Sequence, residues 1–219
     1  TWWIKPRLHG CVFATLVAAP LIFFSTTEIA KRRAETDTLS KIVREQVTAR
    51  DFLSLATKAH EIEPMNHWTV EQIGEVHHQW SLEGGEDHLE RAEKSLSWFK
   101  KAFELNPYSY RSAVRIGMAL DWLQRHGEAE EWFTRASELA PSNYFVRTHL
   151  GWHALEMAAH HGWLGDRESR LRSLLDAEDH FKESIRLSNI AQTANPPAQG
   201  YLRLVSRLKT DYSEATPSP

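Results

Sequence analysis

The stretch Trp98–Pro107, WFKKAFELNP, returns later in the chain as Trp132–Pro141, WFTRASELAP. Both copies open with Trp-Phe, carry an alanine in the middle and end in Glu-Leu-x-Pro. Aligned on their prolines, the copies lie 34 residues apart, which is the period of a repeat made of two antiparallel helices. The repetition predicts an all-α solenoid in which each helix pair packs on the next.

The unit Ser109–Pro141 has the most regular pattern. Gly117 on its first helix and Ala129 on its second are small residues, so the two backbones are predicted to approach closely. Leu120 and Phe133 are predicted to fill the space beside this contact.

The neighbouring units keep the glycine and the phenylalanine but separate them further. In the central unit, Gly117 and Phe133 are 16 positions apart. The corresponding residues are 25 positions apart in the unit before it (Gly74 and Phe99) and 30 positions apart in the unit after it (Gly151 and Phe181). The extra residues fall at the turn between paired helices, near 158–173 in the later unit. They are predicted to lengthen the helices and to project from one edge of the array.

Two local signals predict where helices begin and end. The run Thr69–Gln72 has the Thr-x-x-Gln pattern of a capping box, which predicts a helix that starts there. In the turn of the central unit, Gly127 is predicted to lie just past the end of the first helix.

The N-terminal stretch 8–27 is nearly free of charge, and its length is enough to cross a bilayer core of about 30 Å. Trp2 and Trp3 stand where an interfacial aromatic belt would lie, and basic residues flank both ends of the stretch. Residues 1–33 are therefore predicted to form a transmembrane helix with flanking charges. A signal peptide and a buried core helix are the alternatives, although Glu28-Ile29-Ala30 makes a poor cleavage site.

The remaining boundaries follow from composition. Residues 34–209 are predicted to form the solenoid, whose last amphipathic helix after Pro197 covers the open end of the stack. Residues 210–219 are predicted to be a disordered tail. Three basic residues follow the apolar stretch against two before it, which favours a cytoplasmic solenoid. Because the chain begins at Thr1, we expect it to be a piece of a longer protein.

The repeated pattern from Asp51 to Leu187 resembles the tetratricopeptide repeat (TPR), with Ser95 and Asn189 as departures from the family preference. More loosely, an apolar span followed by such repeats resembles the C-terminal tail of O-antigen ligase-like bacterial membrane proteins. The phrases Gly117–Leu123, GMALDWL, and His149–His153, HLGWH, carry this second resemblance. If it holds, the glycan-transfer machinery would lie in upstream spans, and the protein would lie in the bacterial inner membrane.

The tetratricopeptide resemblance implies a peptide or protein ligand on the concave face formed by the first helix of each repeat. Aromatic residues, Arg and Met on that face suit an apolar groove with a few charges; the alternative is that Trp122 and Trp152 only pack the helices. From the two later repeats the predicted binding residues are Arg111, Val114, Met118, Asp121, Trp122, Phe145, Thr148, Trp152, Leu155 and Glu156. The preceding repeat would add Trp68, Glu71, Glu75, His78 and Gln79.

His149, His153 and His160 fall on one predicted helical face, and the first two have a spacing that can bind a metal. Their intervening residues include no glutamate to act as the base of a zinc hydrolase. His160 would lie about 10 Å along the axis from His153, too far to share one ion. A packed or solvated histidine face is thus favoured over a metal-dependent enzyme, and we predict no metal, cofactor or catalytic residue.

The composition narrows the classes further. The net charge of −3 does not favour nucleic acid as a partner. Cys11 is the single cysteine, so an internal disulfide is impossible. Phosphate-binding loops, nucleophile elbows and dinucleotide-binding motifs are absent from the sequence. The sequence therefore predicts a membrane-anchored scaffold for protein–protein interaction, with the accessory tail of a glycan-transferring enzyme as the alternative.

Overall fold

A computed structural model describes residues 4–44 and 48–214. Nine α-helices and no strand are present in these ranges, which confirms the all-α class. Trp2 and Trp3 and the end of the predicted tail, 215–219, lie outside the described residues. The helices are α1 (Ile4–Arg44), α2 (Ala49–Ile62), α3 (His67–Leu82), α4 (His88–Leu105), α5 (Tyr110–Trp122), α6 (His126–Leu139), α7 (Tyr144–Trp163), α8 (Arg167–Ile190) and α9 (Pro196–Glu214).

The chain divides into two compact units, residues 1–73 and 74–219. In the first unit α1 packs against α2, whose Ala56 and Ala59 are buried. The helix α1 is continuous through Pro20. Its segment Val12–Thr38 is long and apolar enough to cross a membrane, judged by length and composition.

A buried carboxylate ties the end of α1 to the start of α3 within the first unit. Glu35 Oε1 accepts hydrogen bonds from Asn66 Nδ2 at 2.6 Å and from Thr69 Oγ1 at 3.0 Å. The predicted capping box at Thr69 is therefore wrong, because Thr69 lies inside α3. The helix begins at His67, and the side chain of Asn66 accepts from the backbone N–H of Trp68 at 3.1 Å.

The second unit repeats one contact three times. A Cβ atom added at Gly74, Gly117 or Gly151 would lie 2.7 to 2.8 Å from a phenylalanine ring on the paired helix. The partners are the predicted ones, Phe99, Phe133 and Phe181, all fully buried. Since real Cβ atoms do not approach rings so closely, glycine is what allows each ring to lie against the backbone of its paired helix.

The later helix pair carries its extra residues in the helices themselves, as predicted. The helices α7 and α8 have 20 and 24 residues, against 13 in α5 and 14 in α6. The prediction for Gly127 is wrong, because it lies in the first turn of α6. Gln124 occupies the left-handed region instead, with φ of 59°, as Gly165 does between α7 and α8 with φ of 76°.

The last helix covers the end of the second unit, as a solenoid requires. Ala198 and Val205 of α9 are buried in a cluster with Phe181 and Ala177 of α8. The ring of Tyr201 stacks on Phe181 with centroids 5.4 Å apart. The helix α9 runs on past Thr210, where the tail is predicted to begin, to Glu214.

Candidate functional site: a groove lined by α3, α5, α7 and α9

An apolar cavity of 490 Å³ opens within the second unit. The side chains around it come from the end of α3, the middle of α5, the first half of α7 and the start of α9. Most are aromatic or aliphatic, and a few polar groups lie among them. They are His78, Leu82, Met118, Tyr144, Phe145, Thr148, His149, Trp152, Ala194, Asn195, Pro197 and Tyr201.

Asn195 fixes the side of the groove that α9 contributes. Its Nδ2 donates to Thr148 Oγ1 at 3.1 Å and to Ser184 Oγ at 2.8 Å. The Ser184 hydroxyl donates in turn to the carbonyl of Tyr144 at 2.6 Å. Asn195 Oδ1 accepts from the backbone N–H of Ala198, which caps α9. These buried bonds position the start of α9 against α7 and α8.

Two histidines on the groove are held neutral by their surroundings. Burial lowers the pKa of His149 to about 4, and its Nδ1–H donates to the carbonyl of Phe145 at 2.7 Å. Its Nε2 therefore carries the lone pair. Burial also lowers the pKa of His78, whose buried Nδ1 has no hydrogen-bond partner among the described residues. The polar atoms of the groove are thus uncharged.

The groove contains four of the ten predicted binding residues from the later repeats, together with His78 from the preceding one. Arg111 is exposed at its margin, and its guanidinium lies over the ring of Phe145 at 5.6 Å. The four residues are Met118, Phe145, Thr148 and Trp152. No observation tests whether they bind a partner, so that remains a prediction.

Val114 and Asp121 lie in the core and do not line the groove. Asp121 accepts from His126 Nδ1 at 2.9 Å and from His153 Nδ1 at 2.8 Å, so one carboxylate joins α5, α6 and α7. Glu156 lies near this cluster; burial, then the charge of Asp121, raises its pKa. These residues pack between the helix pairs, because the face of α5 that carries Asp121 points toward α6 and α7.

The other predicted positions lie apart from the groove lining. Trp122 is half-buried, and its Nε1 is buried without a hydrogen-bond partner among the described residues. Leu155 packs on the cluster beneath α9. Glu75 pairs with Arg115 at 3.1 Å and accepts from Gln79 at 3.2 Å. Trp68 and Glu71 belong to the first unit.

Sequence reasoning missed the part of the groove lining that α9 and its approach supply. Tyr144 and Leu82 were missed as well, at the ends of α7 and α3. The break at Pro196-Pro197 correctly signals a new helix, but no local pattern shows that this helix folds back onto α7. That contact depends on Asn195, whose partners are 47 and 11 residues away in sequence.

The predicted histidine face is divided between two environments. His149 faces the groove, whereas His153 faces the buried carboxylate of Asp121. The ring of His160 packs against His126 with centroids 5.2 Å apart. Within the described residues, no group of three or more His, Cys, Asp or Glu side chains is arranged so that it could hold a metal ion.

Several solved structures are similar to this chain. MamA MSR-1 is 21% identical over 70% of this chain and 74% of its own, with a TM-score of 0.46. YrrB, described as a TPR protein with an unusual peptide-binding site, is 20% identical over 71% and 70%, with a TM-score of 0.47. MamA 41-end from Desulfovibrio magneticus RS-1 is 14% identical over 84% and 94%, with a TM-score of 0.49.

No protein-family model matches the chain, and neither does any curated protein. The repeated glycine–phenylalanine contact and the helical hairpins nevertheless confirm the predicted tetratricopeptide resemblance at the level of the fold. No observation tests the looser resemblance to O-antigen ligase-like tails, which stays a prediction.

Proposed function

We propose that the chain is a scaffold that binds an apolar peptide segment of a partner protein in the groove between α3, α5, α7 and α9. The observation that carries this proposal is the 490 Å³ cavity with an apolar lining. Cavities of this size and composition suit a few large side chains of a ligand. Met118 adds a flexible, polarizable side chain that adapts to different ligand shapes.

The polar groups favour an uncharged contact within the groove. His149 is neutral, and its Nε2 presents an acceptor to a hydrogen-bond donor of the ligand. An unpaired carboxylate or ammonium of the ligand would have to leave water without a countercharge from the lining residues, which is costly. A backbone N–H or a hydroxyl of a peptide fits this environment, while Arg111 and the Glu75–Arg115 pair supply charges nearby.

The experiment is a selection of random displayed peptides on the detergent-solubilised chain, followed by affinity measurement. We expect apolar peptides, and we expect Trp152→Ala and Met118→Ala to weaken their binding at least about tenfold, because buried aromatic and apolar anchors dominate such interfaces. Leu175→Ala is the matched control, since Leu175 is partly exposed on α8 and does not line the groove.

Selected peptides that bind the groove variants as tightly as the parent chain would contradict the groove as the binding site. Circular dichroism of each variant separates this outcome from loss of the fold. A stronger effect of Leu175→Ala than of Trp152→Ala would place binding on the exposed surface of α8 and outside the groove.

We also propose that α1 anchors the scaffold in a membrane, with the solenoid on the cytoplasmic side. The support is the length of Val12–Thr38 and the exposure of its large apolar side chains, such as Phe13 at 70% and Phe23 at 73%. Such a surface is unfavourable in water. We expect the parent chain to resist alkaline extraction from membranes and Leu16→Arg/Phe23→Arg to be released.

Leu89→Arg is the control for this second experiment, because Leu89 is exposed on α4 and lies outside α1. Release of the parent chain by alkali would contradict the anchor. The accessory tail of a glycan-transferring membrane enzyme stays a prediction; further membrane spans encoded upstream of Thr1 would favour it.

A further inference from the structure

The turn between the two long helices α7 and α8 presents an exposed apolar pair. Trp163 is 82% exposed and the adjacent Leu164 is 57% exposed. Both belong to the region that makes this helix pair longer than α5 and α6. We call residues 160–172 the α7–α8 tip. A tryptophan left so open loses the free energy that burial of its large apolar surface would provide.

The α7–α8 tip also carries a small excess of positive charge. It contains Arg167, Arg170 and Arg172 against Asp166 and Glu168, and Arg172 is paired with Glu168 at 3.0 Å, whereas the whole chain has a net charge of −3. The side chain of Arg170 lies along the end of α7, since a Cβ atom at Gly162 would be 3.3 Å from its Cδ. One arginine side chain therefore lies against Gly162, the residue that precedes the exposed apolar pair.

The turn between α3 and α4 shows that length alone does not produce this composition. That turn, residues 83–87, reads Glu-Gly-Gly-Glu-Asp and contains neither an aromatic nor a basic side chain. Trp80, the nearest tryptophan, is half-buried with the Arg91 guanidinium over its ring at 5.6 Å. The α5–α6 turn has a Trp-Leu pair as well, Trp122-Leu123, but both residues are half-buried there, whereas the pair at the α7–α8 tip is exposed.

We propose that the α7–α8 tip docks on the surface of an anionic bilayer, with Trp163 and Leu164 inserted at the level of the lipid headgroups. Tryptophan prefers this interface because its ring is apolar and its indole N–H can bond to polar lipid groups. Arginines near the surface are attracted to anionic lipid. A narrow turn that projects two apolar side chains suits a fluid interface, which needs no preformed pocket.

The proposal rests on the membrane anchor only for proximity. If α1 spans a bilayer, the second unit is tethered to that surface at a high effective concentration, so a weak contact of two side chains suffices to dock it. The composition of the α7–α8 tip supports lipid binding without the anchor as well. The two proposals are therefore tested separately on the same chain.

The experiment places a nitrobenzoxadiazole fluorophore on single cysteines of the full chain, in which Cys11→Ser removes the native thiol. The labelled positions are Leu164→Cys and, as the matched control, Tyr108→Cys. Tyr108 is 81% exposed in the α4–α5 turn, so it starts from a similarly open environment. Vesicles of phosphatidylcholine with phosphatidylglycerol are added, with a headgroup spin label as quencher.

We expect a blue shift and quenching for the label at position 164 and neither for the label at position 108. The effect should be lost in vesicles of phosphatidylcholine alone and reduced by Arg170→Gln, because the attraction is electrostatic. Equal signals at the two positions would overturn the proposal. A shift at position 164 that depends on protein concentration and not on vesicles would overturn it in favour of a second copy of the chain.

Flotation of the vesicles reports on the anchor independently. A chain that floats with equal signals at the two labelled positions would retain the anchor and refute docking of the α7–α8 tip. A chain that does not float with the vesicles but shows quenching at position 164 would refute the anchor and support docking of the α7–α8 tip.

Discussion

The regular pair α5–α6 and the enlarged pair α7–α8 are built on the same two devices. In each pair a phenylalanine ring lies against a glycine of the first helix, and a residue in the left-handed region ends that helix. The turn bonds correspond as well: Arg125 N–H donates to Leu120 O at 2.9 Å, and Asp166 N–H donates to His161 O at 3.0 Å. The helices of a pair can therefore differ in length while the glycine–phenylalanine contact between them is kept, because each helix pair needs only a local core.

The difference between the pairs lies in what surrounds the shared contact. The pair α5–α6 is joined to α7 through Asp121, whereas α7–α8 is joined to α9 through Asn195. The first connection is a fully buried carboxylate, and the second borders the apolar cavity between α7 and α9. Both pairs therefore contribute buried rings to the core, and the groove lies where the enlarged pair meets α9 and Met118 of the regular pair.

The largest effect is expected from removal of the shared ring. Phe133→Ala and Phe181→Ala should each lower the free energy of unfolding by about 3–5 kcal/mol, since both rings are fully buried. Urea denaturation in detergent, followed by circular dichroism, measures this loss. Similar losses in both pairs would support the common design, and a loss below about 1 kcal/mol in either pair would contradict it.

Asp121→Ala should come next, with a loss of about 2–4 kcal/mol, because two buried histidine donors lose their shared acceptor. Asp121→Asn is the informative control, since its amide oxygen keeps one acceptor for the two imidazoles. Stability of Asp121→Ala equal to that of the parent chain would show that the carboxylate does not join the two pairs.

His149 should make the enlarged pair sensitive to mild acid. Its pKa of about 4 in the folded chain lies below the ordinary value of 6.5, so the unfolded chain binds a proton first as the pH falls. The stabilisation that the neutral His149 provides above pH 6.5 is therefore lost as the pH falls toward 4. The free energy of unfolding should decrease by about 2 kcal/mol between pH 7 and pH 5. Denaturation at several pH values should show a shallower dependence for His149→Gln than for the parent chain; equal slopes would contradict the assignment.

The two turns should respond in opposite directions and by the smallest amount. Gln124→Gly should stabilise the chain by up to about 1 kcal/mol, because a side chain is strained at φ of 59°. Gly165→Ala should destabilise it by about 1 kcal/mol for the same reason. Melting temperatures measure both changes, and a change of the same sign at both positions would contradict the equivalence of the turns.

The sequence predicted the contacts that lie within one helix pair and missed those between distant elements. Gly117 and Phe133 repeat at a fixed position in the pattern, so their contact follows from local periodicity. The predicted positions of Thr69 and Gly127 relative to the helix ends were wrong. A polar residue near a helix start can lie at the cap or inside the first turn, and a glycine near a turn can end one helix or lie in the next. Glu35 and Gln124 decided those two cases, through a distant hydrogen bond and through backbone geometry.

Of the predicted binding residues, Met118, Phe145, Thr148 and Trp152 line the groove, whereas Val114 and Asp121 are buried in the core. Helical spacing shows which residues share a face, but it does not show which part of that face a neighbouring helix covers. Helices α6 and α7 together cover Asp121. The helix α9 folds back onto α7 and brings Tyr201 and Asn195 to the groove.

By itself, the order of residues determined that this chain is helical, that its helices form pairs of which two end 34 residues apart, and that one apolar segment precedes them. These properties depend on neighbours a few turns apart, which periodicity records. The tertiary structure alone decided that one histidine of the face borders a cavity while the next binds a buried carboxylate. That choice depends on which helices meet in space, and residues 32 positions apart meet only once the array has folded.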